Sequence, residues 1–385
     1  MARTGKSVFV MVLTALLMLA GGTVWAEPAP PVVVARAAEL VDATTGQVLF
    51  SNHAEQALPM ASVTKLMTLY IAIRAITQHK LSLHAMVPAD IEAYRIAGSQ
   101  IWLRPGEKLS VEQMLRAIAV GSANDAAYAL GTYIGGSESQ FVAMMNQTAK
   151  ELGMHHTHFA NPHGLPAADH YTTAHDLALL GAAAVKYPLL LQYTSQWQDR
   201  SIRNGKGGHL WLINQNRLLR IFAGADGLKT GYTHSAGFCM VASAHRDHTR
   251  LIAVILGAPS SKLRFQDASG LLSWGFQNYR TLYIDKPTGL PQVVPVFHGV
   301  RPEVRVGLSR PLALTISPGE SQRVTWRIEM ARHLAAPVRY HQTVGQVVVN
   351  IPHRRPVRIS VWATQAIRRQ HFGEVVWNYF WHIVD

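Results

Sequence analysis

Cysteine is nearly missing from this chain. Its 385 residues include only Cys239, so no intrachain disulfide can form and the fold has to stand on its core. Cys239 lies in the apolar stretch Phe238-Cys-Met-Val241, which suits a buried, inert thiol. Long apolar runs are scarce as well. The run from Val8 to Ala20 is shorter than the ~20 residues that span a bilayer as a helix. Acidic residues are few: 23 Asp and Glu face 36 Lys and Arg, for a formal net charge of +13. That balance favours anionic partners such as phospholipid headgroups and acidic wall polymers. The basic residues follow no zinc-finger or RNA-binding pattern, so nucleic acid is not an expected partner. H-E-x-x-H is absent, and His155, His156, His158, His163 and His170 read as loop histidines, so no metal and no cofactor is expected. G-x-S-x-G is absent too, which argues against the nucleophile elbow of an α/β-hydrolase.

What is present begins with a leader. Arg3 and Lys6 precede the Val8–Ala20 run, and Val24-Trp25-Ala26 offers small residues for cleavage, so residues 1–26 read as a secretory signal peptide. An uncleaved anchor is the alternative. Removing Arg3 and Lys6 lowers the net charge by two, to +11.

The remaining chain divides by pattern. Over 27–285, strand-like and helical runs alternate. Ala38–Ala43 and Gly46–Phe50 read as a hairpin, and Ser62–Ala75 as a helix. Val111–Gly121 is a helix capped by Ser110, and Thr173-Ala-His-Asp176 opens another toward Val185. Phe238–Ala244 and Arg250–Gly257 read as paired strands before a Leu263–Tyr279 helix. Residues 286–292 form a Pro- and Gly-containing linker. From 293 to 365, short alternating runs predict a small all-β sandwich, rich in arginine and without a catalytic constellation. Residues 366–385 carry Phe372, Val375, Val376, Tyr379, Phe380 and Ile383 at helical spacing, with Trp377 and Trp381 beside them. Arg368 and Arg369 stand at the entrance. This pattern predicts an amphipathic helix lying in a membrane interface, with a terminal helix packed on the β domain as the rival.

Three motifs carry chemistry: Ser62-Val-Thr-Lys65, Ser122-Ala-Asn124 and Lys229-Thr-Gly231. Ser62 offers a hydroxyl nucleophile, and Lys65, one helical turn on, an amine on the same face. Ser122 and Asn124 add a hydroxyl and an amide, and Lys229 and Thr230 a cation and a donor. Taken singly, Lys65 reads equally as a solvated helix residue, Asn124 as a cap and Lys229 as a surface charge. Their joint order points to a serine acyl-enzyme.

The stretch Leu58-Pro-Met-Ala-Ser-Val-Thr-Lys-Leu-Met-Thr68 resembles the active-site segment of low-molecular-mass penicillin-binding proteins. More narrowly, it is similar to the serine D-alanyl-D-alanine carboxypeptidases of peptidase family S11. Leu103-Arg-Pro-Gly-Glu-Lys108, Asn161-Pro-His-Gly-Leu165, Asn214-Gln-Asn-Arg-Leu-Leu219, Asp226-Gly-Leu-Lys-Thr-Gly-Tyr-Thr233 and Leu271-Leu-Ser-Trp-Gly-Phe276 extend the resemblance over about residues 35–280. It implies a β-lactamase/transpeptidase-like α/β (α+β) domain, its antiparallel sheet flanked by helices, with a helical subdomain carrying the Ser122 loop.

The resemblance further implies that Ser62 attacks the penultimate D-Ala carbonyl of a peptidoglycan stem pentapeptide. Lys65 serves as base, Ser122 as proton relay, and Asn124 holds Lys65 and the peptide. Lys229 and Thr230 receive the terminal carboxylate with help from Arg264, Gly231 and Tyr232 stand beside them as substrate-binding positions, and the backbone N–H groups of Ser62 and Tyr232 bind the oxyanion. β-Lactam antibiotics are implied as covalent inhibitors, and the periplasmic face of a bacterial inner membrane as the location. Ala123 stands where glycine is common in close relatives, and Tyr232 where some have histidine. A D,D-endopeptidase, a β-lactamase and a non-catalytic wall-binding scaffold are the alternatives; Asn161–Leu165 lacks the glutamate of class A β-lactamases.

Overall fold

The computed structural model describes residues 29–203, 208–285, 287–352 and 354–371. The leader at 1–26 lies outside them, as do residues 372–385, which hold most of the expected terminal helix.

Two-residue periodicity builds the central sheet. Its five strands are antiparallel and run in the order Val48–Asn52, Ala37–Asp42, Thr249–Ala258, Gly237–Arg246, Ala225–Thr233. Successive side chains of a strand face opposite ways. Ala37, Val41, Cys239, Val241, Ile252 and Val254 therefore join one core. Ala38, Leu40, Met240, Ala242, Leu251 and Ala253 join another. A sheet apolar on both faces needs helices on both. The Ser261–Asn278 helix covers the second face through Phe265, Ala268, Leu271 and Leu272. The first face meets the Lys65–Thr77 and Ala174–Ala184 helices. Every residue from Lys65 to Ile73 is buried, which explains why that helix shows almost no polar face.

The helical region between residues 111 and 151 is fixed by local chemistry. Ser110 and Gln113 make a reciprocal capping box that starts the Val111–Ala119 helix. The Asn124–Gly135 helix stops at Gly136 in the left-handed conformation, φ +82°. Cys239 is buried, and burial pushes its thiol up to about 11, in keeping with an inert role.

The arginine-rich region forms a second core between a two-stranded and a six-stranded sheet. The larger sheet runs Thr325–Met330, Thr343–Asn350, Val357–Ala363, Glu303–Leu308, Val293–Phe297, Leu334–Ala335. Two expected boundaries move. Arg280–Ile284, placed with the first domain by its sequence position, pairs with Leu312–Ile316 and packs Leu282 and Ile284 into the second core. Of the expected 286–292 linker, the described residues 287–292 are no free linker either, because Leu290 packs on the same core. At the other end, residues 366–371 are not the start of a helix. Ile367 bridges Val338 and Arg369 bridges Gly299, because Ile367 supplies a side chain that the second core buries.

The domains meet through polar groups. Buried Asp42, at the end of a central strand, accepts from the hydroxyls of Thr281 and Thr315, both at 2.8 Å. Arg354, held by the Thr315 carbonyl at 2.8 Å and Glu320 at 2.8 Å within the second domain, reaches across the same seam to Gln47 Oε1 at 3.5 Å.

Candidate active site

Ser62 sits in a short 3-10 turn, Ala61–Thr64, that leads directly into the Lys65–Thr77 helix. Ala61 holds φ +49°, a region costly for a residue with a Cβ, so its surroundings must over-determine the turn. They do so from two sides. Thr64 Oγ1 donates to the Ala61 carbonyl at 2.8 Å. The His170 imidazole accepts from the Ala160 N–H at Nδ1, which leaves Nε2–H to donate to Thr64 Oγ1 at 2.7 Å. Burial and His158 hold His170 down at about 4, so it stays the neutral tautomer that this arrangement needs. From the loop side, Gly164 lies so close that a Cβ there would meet the Ala61 carbonyl oxygen at 2.1 Å.

Lys65 is fully buried, which excludes the solvated-helix reading. Its Nζ lies 2.8 Å from Ser62 Oγ, 2.6 Å from Asn124 Oδ1 and 2.6 Å from the His163 carbonyl oxygen. A neutral amine has two N–H groups and one lone pair. The two carbonyl oxygens can take the N–H groups and leave the lone pair toward the Ser62 hydroxyl. Burial, then the charge of Lys229, drives the Lys65 pKa well below its ordinary value, against a smaller opposing effect of Asp125.

Asn124, the first residue of its helix, is held rigidly. Its Nδ2 donates to the Ala97 carbonyl at 2.6 Å and its backbone N–H to Ser99 at 2.7 Å. Asp125 next to it is buried and accepts from the Ile101 and Leu103 N–H groups, so one loop is fastened to both residues. Ser122 is buried at φ +57°, just before this helix.

The third motif lies on the Ala225–Thr233 edge strand. A Cβ on Gly231 would stand 2.8 Å from Ser62 N and 2.9 Å from Val63 N, so only glycine lets the strand lie against the nucleophile's turn. Lys229 is 3 % exposed, which excludes a surface charge. Its Nζ donates to the Thr230 carbonyl at 2.9 Å, and burial followed by Arg264 holds it down at about 7. Arg264 braces the strand: its guanidinium donates to the Gly231 carbonyl at 3.2 Å and to the Cys239 carbonyl at 3.3 Å. Burial lowers Arg264 to about 10, and its Nε is a buried donor without a partner among the described residues. Tyr232 is 53 % exposed and stacks on Phe238 with ring centroids 4.3 Å apart. Arg264, Lys229 and Lys65 thus form a buried run of bases that each depress a neighbour, with Asp125 as the carboxylate felt by Lys65. Such a site is short of negative charge.

All nine residues singled out in the sequence fall in this region or, for Arg264, directly behind it. Sequence reasoning missed the His163 carbonyl, because a backbone acceptor leaves no mark in residue type. It also missed the His170–Thr64 contact, although Thr64 lies inside the first motif and His170 is one of the clustered histidines. Among the described residues no three His, Cys, Asp or Glu side chains converge as a metal site.

Comparison with known proteins agrees with the geometry. Residues 25–260 match the peptidase S11 family, described as D-alanyl-D-alanine carboxypeptidase. The chain is 35% identical to D-alanyl-D-alanine carboxypeptidase DacF of Bacillus subtilis over 316 residues, 82% of this chain and 81% of that one. It is 34% identical to DacC of Escherichia coli over 360 residues, 91% and 88% of the two. Among solved structures, penicillin-binding protein 5 of Haemophilus influenzae superposes with TM-score 0.78 at 29% identity, covering 89% of this chain and all of that one. Penicillin-binding protein D2 of Listeria monocytogenes, solved with ampicillin bound, matches 64% of this chain and all of that one, with TM-score 0.58 and 31% identity. Nucleophile turn, buried amine, Asn124 and the Lys229 strand have thus been brought together by a fold shared with these proteins, and the chain belongs to the peptidase S11 family of D-alanyl-D-alanine carboxypeptidases.

Proposed function

We propose that the chain removes the terminal D-alanine of peptidoglycan stem pentapeptides through an acyl-enzyme on Ser62. The observation that carries this is Lys65: a fully buried amine, its pKa driven down, 2.8 Å from Ser62 Oγ. Neutral Lys65 takes the Ser62 proton as Oγ attacks the penultimate D-Ala carbonyl. The oxyanion is met by the Ser62 and Tyr232 N–H groups. The C–N bond then breaks, and the leaving D-Ala nitrogen receives the proton by way of Ser122. Water, deprotonated by Lys65, next attacks the ester and frees Ser62. The substrate carboxylate supplies the negative charge the site lacks, docking on Lys229 and Thr230, and its approach raises the Lys229 pKa and keeps that amine charged.

The second domain favours carboxypeptidase over endopeptidase action. The carboxypeptidase DacC aligns over 91% of this chain, whereas the D-alanyl-D-alanine endopeptidase of Escherichia coli aligns over 63%. β-Lactams, by likeness to the ampicillin-bound relative, acylate Ser62 as substrate mimics. The leader-like pattern at 1–26 and the aromatic pattern of the tail support a site of action on the periplasmic face of the inner membrane, with peripheral anchoring.

Release of D-alanine from a soluble peptide ending in D-Ala-D-Ala, compared between wild type and Ser62→Ala, tests the chemistry. Release by wild type alone supports it. Equal release by both would remove Ser62 from the mechanism.

A further inference from the structure

The described residues of the β domain end, at His371, in one particular corner. Three segments are knitted there: 295–302, 331–341 and 366–371. Val296 and Phe297 pair with Leu334 and Ala335, Gly299 bridges Arg369, and Val338 bridges Ile367. Gln370 N–H donates to the His298 carbonyl and Val300 N–H to the Arg368 carbonyl. These segments together hold five arginines (Arg301, Arg332, Arg339, Arg368, Arg369) and four histidines (His298, His333, His341, His371), with no Asp or Glu. All five arginines are exposed. The acidic residue nearest to them in sequence is Glu303, which pairs with Pro295 at the edge of the corner.

Large apolar side chains are exposed at the same corner. Phe297 is 53% exposed, Val300 36% and Tyr340 61%. These are not loose loop residues. Tyr340 stacks on His341 at 3.8 Å between ring centroids, His341 lies 4.8 Å from the Trp362 ring, and Phe297 lies 4.8 Å from His333. Rigid rings with one apolar face out, set among five arginines with Glu303 at the edge, match a headgroup layer. Aromatic bodies reach the acyl boundary there while guanidinium groups meet phosphates.

We propose that this corner is a membrane-docking surface in its own right, fitted to an anionic phospholipid bilayer and additional to the tail that follows it in sequence. The proposal rests on the reading that the chain works at a membrane. It commits to lipid rather than to an anionic wall polymer for two reasons. Exposed Phe297, Val300 and Tyr340 gain nothing from a hydrophilic polyanion, and residue 371, where the aromatic tail begins, belongs to the same corner. A second, folded contact also fixes orientation: one point of attachment lets a domain tumble, whereas two hold it in one attitude.

The test uses the processed chain, residues 27–385, and the same chain ending at His371, each with and without Arg332→Gln, Arg339→Gln and Arg369→Gln together. Binding to phosphatidylglycerol-rich vesicles and to phosphatidylcholine vesicles is measured by co-sedimentation. Unchanged melting and D-alanine release report an intact fold. The chain ending at His371 is expected to keep binding to phosphatidylglycerol vesicles, weakened by salt, and to ignore phosphatidylcholine. At roughly fivefold per arginine, the triple change should cost it on the order of 100-fold in affinity. No vesicle binding by the chain ending at His371, while the longer chain binds, would overturn the corner and leave the tail reading standing. Binding that the triple change leaves intact would overturn it as well, as would binding to a soluble polyanion without binding to vesicles.

Discussion

Gly231 lies against the Ser62 turn so closely that its missing Cβ would stand 2.8 Å from the Ser62 nitrogen. The two residues are brought together only by the edge strand of the central sheet. The Ser62 N–H is one of the two proposed oxyanion donors, so the spacing of strand and turn sets how well an oxyanion fits. Gly231→Ala has to push the strand away from backbone that cannot yield. We expect kcat/KM for D-alanine release to fall about 100-fold and stability to drop by about 1–3 kcal/mol. Steady-state kinetics with a denaturation curve checks both. Unimpaired acylation by a labelled penicillin would show that the spacing does not matter.

Lys229 links catalysis to stability. Its folded pKa of about 7 lies below the ordinary lysine value of 10.5. Between those two pH values the unfolded chain binds the extra proton, so stability rises with pH, and the cost of the buried amine is fully present below about 7. Lys229→Met removes that cost. The variant should be more stable than wild type at neutral pH by on the order of a few kcal/mol, and its rise of stability with pH over 7–10 should be shallower, with only the share of depressed Lys65 remaining. It should also lose activity. Urea denaturation at pH 7 and pH 9 measures the difference; parallel pH dependence in both proteins would contradict a depressed Lys229.

Arg264 depresses Lys229 while bracing the Gly231 and Cys239 carbonyls. Activity in the free enzyme calls for neutral Lys65 and charged Lys229, so kcat/KM should rise and then fall with pH. Arg264→Gln takes away the neighbouring cation, and the falling limb should move to higher pH even as the maximum drops. A pH profile of kcat/KM shows this. A falling limb that stays in place would mean that Lys229 does not govern it.

His170 gives the nucleophile's turn a weakness toward acid. His170 is held at about 4 and His163 at about 3, against 6.5 unfolded. As pH falls from 6.5 toward 4, the unfolded chain gains protons that the folded chain refuses, and stability is lost. His170→Gln removes one of these groups, so the slope over that window should shrink by up to ~1.4 kcal/mol per pH unit. Its D-alanine release at neutral pH should fall through kcat, with KM little changed, because Thr64 and Ala61 lose their brace. An unaltered slope in denaturation at pH 5 and pH 7 would sink this account.

Much of this site was legible beforehand because its chemistry is written in residue types. Ser62 and Lys65 are three apart on one helical stretch, and that spacing alone puts them on one face. The Ser110 capping box and the alternating strands at 293–297 and 303–308 were equally readable, since local hydrogen bonding and the two-residue period leave their mark in sequence. Arg280–Ile284 was not. It is continuous with the first domain and looks like any short apolar run. Only its pairing with Leu312–Ile316 assigns it to the second.

By itself, then, the sequence determined the inventory of chemical groups, the order of the three motifs, the absence of disulfides and the two-domain pattern. These depend on residue type and on contacts a few positions apart. Tertiary structure alone decided that Lys65 is buried beside Ser62, Asn124 and the His163 carbonyl, and that Lys229 and Arg264 are close enough to depress their neighbours. Desolvation and charge proximity turn an ordinary lysine into a base. Both are properties of distance through space, which spacing along the chain does not encode.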